Sequence, residues 1–462
     1  MKPQTLPLDN AIALSEGLQT DLFTSVDIVR SCLDRIQAQD PWLHCFVEVY
    51  PAEALEAAHA SDQMRKAGYA LGPLHGLPVA VKDLMDIEGK VTTIGSPLFS
   101  DNLAHSSAYL IQRLKAAGAI IIGKTHMVQF ALGGWGTNEH MGTPRNPWDH
   151  DVHRVPGGSS SGSAAAVAGG LVPLAIGTDT GGSVRLPAAY CGITGFKFTV
   201  GVVDTTGVAP LSKTLDSIGV FAKSMAEAAM VYDALVDDPK RSKQIAACTP
   251  EAARTLLSGL RIGRIAPHEL ADVQTDIVQA YESTLEIFIS AGARVTTLAL
   301  PCAIEDFAPV AINIMVAEGA ASYGALANDT SKPMDAGIRP RLQAGSKILA
   351  TDYIAALEKQ TQLKTQFAKL LHSIDIFVTP TGLTTAVPLA DVNPAAPPVH
   401  FTRIFNVLDM CGVSVPVGSD YQHLPIGIQI GAAKGQDAFL IEVTHAFQTL
   451  TQFHLENPKP RR

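Results

Sequence analysis

The chain has little charge and no cysteine framework. Charged residues make up only 17% of its 462 residues, whereas 47% are hydrophobic. This balance excludes a disordered or fibrous chain and is typical of a compact globular protein. The six cysteines, at positions 32, 45, 191, 248, 302 and 411, form no CxxC pair and no closely spaced set. They predict isolated thiols in a reducing compartment, so we expect a cytoplasmic protein.

A basic surface and a long apolar run are also missing. The net charge is −9 and basic residues cluster only at Lys459, Arg461 and Arg462, so no positive face is available for nucleic acid. The longest apolar stretches, such as residues 164–177, contain glycine and proline and are shorter than the roughly 18 residues of a membrane span. The first thirty residues lack a basic start followed by an apolar run. We expect no nucleic-acid partner, no membrane span and no secretory signal.

No recognisable metal-binding spacing is present. The histidines at 140, 150 and 153 share a proline-bounded loop, but no Cys, Asp or Glu spacing completes a zinc set. We therefore expect no metal and no cofactor.

The chain alternates helix-like and strand-like segments. Apolar residues such as Ile28, Cys32 and Ile36 recur at helical spacing, and residues 1–70 are predicted to form an N-terminal helical layer. From residue 72 onward, short β-branched runs alternate with helix-like segments, which predicts a sheet between helices. The predicted strands start at 77, 119, 171, 261, 293, 374 and 424, and the predicted later helices cover 274–291 and 438–450.

The sequence shows no repeat, low-complexity tract or linker. It therefore predicts a single domain over residues 1–462. Within this domain we expect the core that carries the site at residues 72–220 and a variable helical cover at about 300–375.

Two loops of small residues, 157–163 and 178–183, flank a helix-and-strand unit in the centre of the chain. Gly181 and Gly182 remove side-chain bulk, so successive backbone N–H groups can converge on one point, as an oxyanion hole requires. Ser183 would be held beside those donors. A lone Gly-Gly-Ser is most often a simple turn, so Ser183 needs support from other residues.

A serine nucleophile needs a base, and the only histidine near this segment is His153 at its leading edge. Lys82, at the end of a strand-like apolar run, is a candidate. To act near neutral pH its pKa must fall from about 10.4 to roughly 7 or 8, which burial among apolar strands can achieve. A surface lysine at a strand end is the commoner alternative.

Several separate blocks resemble the amidase signature family. They are GPLHGLPVAVKD (72–83), IIGKT (121–125), TPRNPWD (143–149), the central segment (153–192), GITGFKFT (192–199), APLSKTLDSIG (209–219), DIFVTPT (375–381) and SVPVG with LPIGIQIG (414–431). Together they span most of the chain. The resemblance implies an α/β fold with a large mixed, mostly parallel central sheet covered by helices on both sides.

The resemblance also implies a Ser-cisSer-Lys catalytic set. The family's nucleophile falls on Ser183, its base on Lys82, and its bridging serine on Ser159, which should follow a cis peptide bond from Gly158. Neutral Lys82 would draw a proton through Ser159 from Ser183 as Ser183 attacks the substrate carbonyl. The implied oxyanion-hole donors are the N–H groups of Thr180, Gly181, Gly182 and Ser183.

Other polar residues near these loops have supporting roles in this prediction. A brace of hydrogen bonds between the loops is predicted for Ser160, Ser161, Thr178, Asp179 and Arg185. In similar proteins an arginine at the position of Arg185 can also bind a substrate carboxylate. Cys191 is most simply a packed free cysteine.

The acyl pocket is predicted to be apolar. Its expected substrate-binding residues are Phe130, Ala131, Leu132 and Trp135, together with Ser159. Further lining is expected from Ile314 and Met315, although core packing is the commoner role for such residues. An apolar pocket favours a neutral amide, anilide or carbamate.

Two other segments match known sequence motifs letter for letter. Residues 118–125 fit a phosphate-loop pattern, but the run Ala-Ile-Ile-Ile predicts a strand there instead. Residues 158–162 fit a nucleophile elbow centred on Ser160. That elbow must follow a strand, and Pro156 is poorly suited to a central strand.

We therefore predict a hydrolase of amide-type carbon–nitrogen bonds in a small, mainly apolar substrate, acting through Ser183 as a monomer or homodimer whose partner is that small molecule. The alternative is a glutamine-cleaving amidotransferase subunit that acts with partner chains. The sequence at residues 129–138 and 401–406 departs from the sequence that is usual in such subunits.

Overall fold

A single sheet of 11 strands runs through the residues that the computed structural model describes, 6–237 and 248–459. Arg461 and Arg462 of the predicted basic cluster lie outside these ranges. The strands are β1 (Phe46–Val49), β2 (Pro78–Lys82), β3 (Ile120–Thr125), β4 (Leu174–Asp179), β5 (Thr194–Lys197), β6 (Ser217–Ala222), β7 (Arg261–Arg264), β8 (Arg294–Thr297), β9 (Ile376–Pro380), β10 (Cys411–Ser419) and β11 (Pro425–Ala432).

The strand order is β1-β3-β2-β4-β6-β5-β10-β11-β9-β7-β8. The sheet is mixed, as predicted. Parallel pairs occur in two groups, β3-β2-β4 and β9-β7-β8. The other six of the ten neighbouring pairs are antiparallel, so the mostly parallel arrangement that we expected holds only within these two groups. The strand order supports a single-domain organisation, which stays a prediction.

Helices flank the sheet and account for the predicted helical segments. Those in the described residues are α1 (Ala11–Gln19), α2 (Ser25–Leu43), α3 (Pro51–Lys66), α4 (Tyr109–Ala116), α5 (Ser161–Ala168), α6 (Arg185–Cys191), α7 (Met225–Leu235), α8 (Pro250–Leu257), α9 (Thr275–Ser290), α10 (Phe307–Asn328), α11 (Arg339–Gly345), α12 (Ala350–Leu371), α13 (Thr402–Val407) and α14 (Asp437–Thr451). The helical spacing of Ile28, Cys32 and Ile36 is confirmed, since all three are buried on one side of α2.

The sheet brings the two central loops to one edge. β2 lies between β3 and β4 and is parallel to both, so these strands end on the same side of the sheet. Every residue of β2, β3 and β4 is buried, as expected for strands covered on both faces. Because β2 ends at Lys82 and β4 at Asp179, the chain delivers both residues to the crevice at this edge.

Helix α5 packs across these strands. Its residues are Ser, Gly, Ala and Val, all buried, so its backbone can approach the sheet closely. At Gly162 an added Cβ would lie 2.2 Å from the Cys45 carbonyl oxygen, which leaves no room for a side chain. The small residues of α5 therefore allow its first turn to lie against the ends of β2 and β4.

The predicted cover consists of α10, α11 and α12, and α10 packs against both of the others. Within the described residues, the stretch Ile304–Asn328 is long and apolar enough to cross a membrane by length and composition, with a mean hydropathy of 1.3. The most apolar window of this stretch is 44% buried. A core helix of a soluble protein passes the same test, so the stretch is only a weak indication of a span.

Candidate active site

Lys82 occupies the centre of the crevice. Its Nζ donates hydrogen bonds to Ser159 Oγ (2.7 Å) and Thr178 Oγ1 (3.0 Å), and its side chain is fully buried. Burial lowers the pKa of Lys82 to about 7, against the opposing influence of Asp216 and Asp179. The lysine therefore loses its proton near neutral pH, as a base for a serine hydroxyl group must.

Ser159 lies at the turn that leads into α5. The peptide bond between Gly158 and Ser159 is cis, as predicted. Ser159 is fully buried, and its carbonyl oxygen accepts a hydrogen bond from the Val128 N–H at 3.1 Å. This contact joins the serine loop to the segment after β3, and it fixes the hydroxyl group beside Lys82.

Asp179 and Arg185 form an ion pair that stabilises the second loop (residues 178–183). Arg185 donates to both carboxylate oxygens of Asp179, with Nη2–Oδ1 at 2.9 Å and Nε–Oδ2 at 3.1 Å, and both residues are fully buried. Despite burial, Arg185, Lys197 and Asn406 hold the pKa of Asp179 well below its usual range. The bracing predicted for Asp179 and Arg185 is present in the structure.

The two predicted supporting serines bond to the backbone. Ser160 Oγ donates to the Thr178 carbonyl oxygen at 3.2 Å, and Ser161 Oγ donates to that of His126 at 3.4 Å. The Ser160 N–H donates to the Ser183 carbonyl oxygen at 3.3 Å, which ties the two loops together. Ser160 is therefore committed to the loop contact.

The backbone donors around Ser183 divide into two groups. The Gly182 N–H bonds to Asp179 Oδ1 at 2.8 Å, so the structure uses this predicted oxyanion donor as part of the brace. The N–H groups of Thr180, Gly181 and Ser183 have no acceptor among the described residues. These three N–H groups remain available to an incoming anionic oxygen.

Ser183 opens into a cavity of about 370 Å³. The serine is 8% exposed, and its hydroxyl group makes no hydrogen bond to any residue in the described ranges. The cavity is lined by Ala131, Leu132, Gly133, Gly134, Thr180, Gly181, Ser183, Ile312, Met315, Val316, Arg341, Ala395, Ala396, Pro397, Val399 and Arg403. The Ser183 hydroxyl group, the unpaired N–H donors and a substrate-sized space thus coincide.

Only part of the predicted pocket lining reaches this cavity. Ala131, Leu132 and Met315 line it. Phe130 instead stacks on Tyr323 with ring centroids 4.4 Å apart, and Ile314 is fully buried in the core. The backbone at Phe130 and Ala131 is left-handed, with φ of 55° and 59°, and this turn separates their side chains.

Trp135 also lies outside the cavity. Its Nε1 donates to the Asn393 carbonyl oxygen at 2.9 Å, and its ring packs against a separate apolar cluster that includes Leu186 and Tyr190. Trp135 therefore supports the loop near residue 393 in this structure.

Three polar residues of the site were missed in the sequence. Arg341 and Arg403 line the cavity, on α11 and α13. Asp216 accepts a hydrogen bond from Thr180 Oγ1 at 2.5 Å, and burial raises its pKa to about 6. Of the three, only Asp216 lies in a text block that resembled the family.

The family model named Amidase matches residues 27–441 of this sequence. The chain belongs to the amidase family. Membership implies a hydrolase of carbon–nitrogen bonds, and it confirms the resemblance drawn from the separate text blocks.

Two curated amidase-family relatives match nearly the whole chain. A glutamyl-tRNA(Gln) amidotransferase subunit from Aromatoleum aromaticum is 36% identical and covers 96% of this chain and 98% of the relative. The protein of the same name from Carboxydothermus hydrogenoformans is 31% identical, with 97% and 99% covered.

Solved amidase structures share the fold. A chain described as part of a vestigial protein complex that reveals the origins of an s-triazine catabolic enzyme is 29% identical, with a TM-score of 0.86 and 95% and 98% covered. The peptide amidase from Stenotrophomonas maltophilia is 27% identical, with a TM-score of 0.82 and 98% of both chains covered.

These amidase relatives overturn one prediction. The curated proteins are named as subunits, which implies that they act with partner chains. The prediction of a monomer or homodimer whose partner is only a small molecule is therefore wrong. The prediction rested on the departures at 129–138 and 401–406 from such subunits. Residues of both segments line the cavity, so these departures do not record what the outer surface contacts.

The structure also shows the positions of the competing nucleophile Cys191 and of the competing phosphate-loop motif. Burial raises the pKa of Cys191, whose Sγ contacts the Pro156 carbonyl oxygen at 3.4 Å, so the thiol is packed and unreactive. Gly123, Lys124 and Thr125 belong to β3, which confirms a strand and excludes a phosphate loop there. Lys124 Nζ instead lies 3.1 Å from Asp83 Oδ1 in a buried ion pair.

Potential metal ligands come together at two places in the described residues. Glu139, His140 and Asp335 form one group, and Glu269, Glu305 and His400 form the other, each with ligand atoms within 4.8 Å of one another. His140 was considered in the sequence with His150 and His153, whereas the structure groups it with carboxylates from distant segments. Neither group includes Lys82, Ser159 or Ser183.

Proposed function

We propose that this amidase-family chain hydrolyses an amide through an acyl-enzyme on Ser183, with Lys82 as the base and Ser159 as the proton relay. The observation that carries the proposal is the buried contact between Lys82 Nζ and Ser159 Oγ at 2.7 Å. It joins a lysine with a pKa of about 7 to the loop that bonds Ser183.

The proposed cycle uses the same proton relay to form the acyl-enzyme and to hydrolyse it. Neutral Lys82 takes a proton from Ser159 while Ser159 takes one from Ser183, and Ser183 Oγ bonds to the carbonyl carbon. The carbonyl oxygen becomes an oxyanion that accepts from the free N–H groups of the second loop. The relay then protonates the leaving nitrogen, the C–N bond breaks, and water hydrolyses the resulting ester with the same base.

The relatives favour an assembly over a free-standing enzyme. Their names as amidotransferase subunits support a proposal that this chain is the amide-cleaving subunit of a complex with other chains. The same names make glutamine a second candidate substrate, beside the amides, anilides and carbamates proposed from the sequence. The cavity is apolar along Leu132, Met315 and Val399, but it also contains arginines, so a wholly apolar substrate is not favoured.

A labelling experiment tests the nucleophile. The purified chain is treated with a fluorophosphonate probe, and the modified residue is identified by peptide mass spectrometry. We expect one adduct, on Ser183, and no adduct in Ser183→Ala. Ser160→Ala is the matched control because it removes a neighbouring hydroxyl group, and it should still be labelled at Ser183. Labelling of Ser160 in the intact chain would overturn the proposal.

A cytoplasmic location is also proposed. All six cysteines are free thiols, and Cys32, Cys45, Cys191 and Cys411 are buried. Free thiols persist in a reducing compartment.

A further inference from the structure

We propose that Arg341 and Arg403 bind a carboxylate group of the substrate, so that the amide cleaved at Ser183 belongs to an anionic molecule that needs no ammonium group. The inference rests on the proposed function, because it concerns the cavity into which Ser183 opens.

Arg403 lacks a counter-charge in the described part of the chain. It is partly buried, and neither a hydrogen bond nor an ion pair links it to any described residue. Desolvation and the charge of Arg341 lower the pKa of Arg403 to about 10. A buried arginine normally has a carboxylate or carbonyl partner, so an arginine that faces a cavity without one is available for an anionic ligand.

Arg341 reinforces this positive field. Its guanidinium donates to the carbonyl oxygens of Leu132 (3.2 Å) and Pro394 (3.3 Å), which carry no charge that could neutralise it. Desolvation lowers its pKa as well. Two cations that repel each other in a partly desolvated cavity are stabilised together when one anion binds between them.

The position of Arg403 relates the anion site to the reacting centre. Its side chain lies beside the second loop (residues 178–183), since a Cβ added to Gly181 would be 3.9 Å from Arg403 Cγ. A substrate molecule with its amide carbonyl at Ser183 and a carboxylate at its other end would reach both Ser183 and the two arginines. A linear monoamide of a short dicarboxylic acid has this arrangement.

The cavity offers no matching site for an ammonium group. None of its lining residues in the described ranges is acidic. Glutamine carries an ammonium group beside its carboxylate, and that group would lie near the arginines without a counter-charge. The cavity therefore fits the desamino analogue of glutamine better than glutamine itself.

Calorimetric binding to the full-length Ser183→Ala protein tests this inference without turnover. The ligands are the monoamides of the four-, five- and six-carbon dicarboxylic acids, their neutral methyl esters, and glutamine. We expect at least one monoamide to bind about 10- to 100-fold more tightly than its ester, the size expected for charge-assisted hydrogen bonds. Glutamine should bind more weakly than the five-carbon monoamide.

Arg403→Gln in the same background should reduce this preference to less than about 3-fold while ester binding stays unchanged. Arg254→Gln, which removes the same charge from an exposed helix position, is the control and should keep the preference. Equal affinity for acids and esters, or a preference that survives Arg403→Gln, would overturn the inference. If glutamine bound more tightly than the five-carbon monoamide, the claim that the substrate needs no ammonium group would be overturned.

The outcome is separable from that of the proposed function. Fluorophosphonate labelling of Ser183 requires no carboxylate on the probe. Labelling at Ser183 without a carboxylate preference would reject the anion site and keep the nucleophile, whereas a carboxylate preference without labelling would do the reverse.

Discussion

Lys82 Nζ lies 2.7 Å from Ser159 Oγ, and both side chains are fully buried. The strand pairing explains the contact. β2 and β4 are parallel neighbours, so the end of β2 carries Lys82 to the level of Thr178 on β4, and α5 starts above them both. The position of the proposed base beside the proposed relay thus depends on the pairing of β2 with β4.

The pH dependence of hydrolysis follows from the pKa of Lys82. Only the neutral amine accepts a proton, and burial lowers the pKa to about 7. We expect kcat/KM to rise about tenfold per pH unit below pH 7 and to level off above about pH 8. The measurement uses an amide whose own ionisation does not change between pH 5 and 9.

Asp216→Asn tests the direction in which the acidic limb of this pH profile shifts. The Asp216 carboxylate raises the pKa of Lys82, so its removal should move the acidic limb to lower pH. An acidic limb that moves to higher pH, or one centred far from pH 7 in the intact enzyme, would exclude Lys82 as the base. Lys82→Arg should be inactive at every pH because the guanidinium does not deprotonate.

The same burial should cost stability. Between pH 7 and 10.5 the unfolded chain holds a proton on Lys82 that the folded chain has released, so stability rises with pH across this window. Below pH 7 the buried charge is fully present. Lys82→Met should therefore raise the free energy of unfolding at pH 6 by roughly 1–3 kcal/mol, after the loss of two hydrogen bonds.

Urea unfolding at pH 6 and pH 10 measures this effect. The gain from Lys82→Met should be larger at pH 6 and should shrink toward pH 10. A loss of stability that is equal at both pH values would show that the lysine contributes only packing and hydrogen bonds.

The Asp179–Arg185 pair should dominate the stability of the second loop, residues 178–183. Asp179→Asn leaves the buried Arg185 without its carboxylate, which costs about 3–5 kcal/mol for a buried charge. We expect this loss in urea unfolding at pH 7. Asp375→Asn is the matched control, since Asp375 forms a bidentate pair with Arg261 at the surface. It should cost less than about 1 kcal/mol.

Much of the site was predictable because its residues lie in distinctive local text. Lys82 ends a strand-like apolar run, and the glycines and serines around Ser159 and Ser183 lie in segments that resemble the amidase signature family. The arginines were not predictable in this way. Arg403 is an isolated charge in an ordinary short helix, and its place beside the loop is set by strand pairing between β5 and β10, more than 200 residues apart.

The same reason explains the missed strands. The strands β1, β5, β6 and β10 were left unassigned in the sequence, and β5 (Thr194–Lys197) and β6 (Ser217–Ala222) are short segments whose places depend on pairing with other parts of the chain. In the structure, neighbouring strands on both sides complete their hydrogen bonds. The antiparallel pairs contributed by these strands are also what makes parallel pairing the minority.

Gly181 and Gly182 are adjacent, yet they should respond differently to alanine. Gly182 has φ of +127°, and a Cβ there would lie 2.2 Å from Thr402 Oγ1, so Gly182→Ala must strain the backbone and displace α13. A Cβ at Gly181 meets nothing nearer than 3.9 Å. We expect Gly182→Ala to lower the free energy of unfolding by about 2–4 kcal/mol and Gly181→Ala by less than about 1 kcal/mol.

Both variants keep every backbone N–H, so urea unfolding together with fluorophosphonate labelling rates separates loop geometry from donor loss. Equal effects of the two substitutions would show that the loop does not depend on the conformation at Gly182.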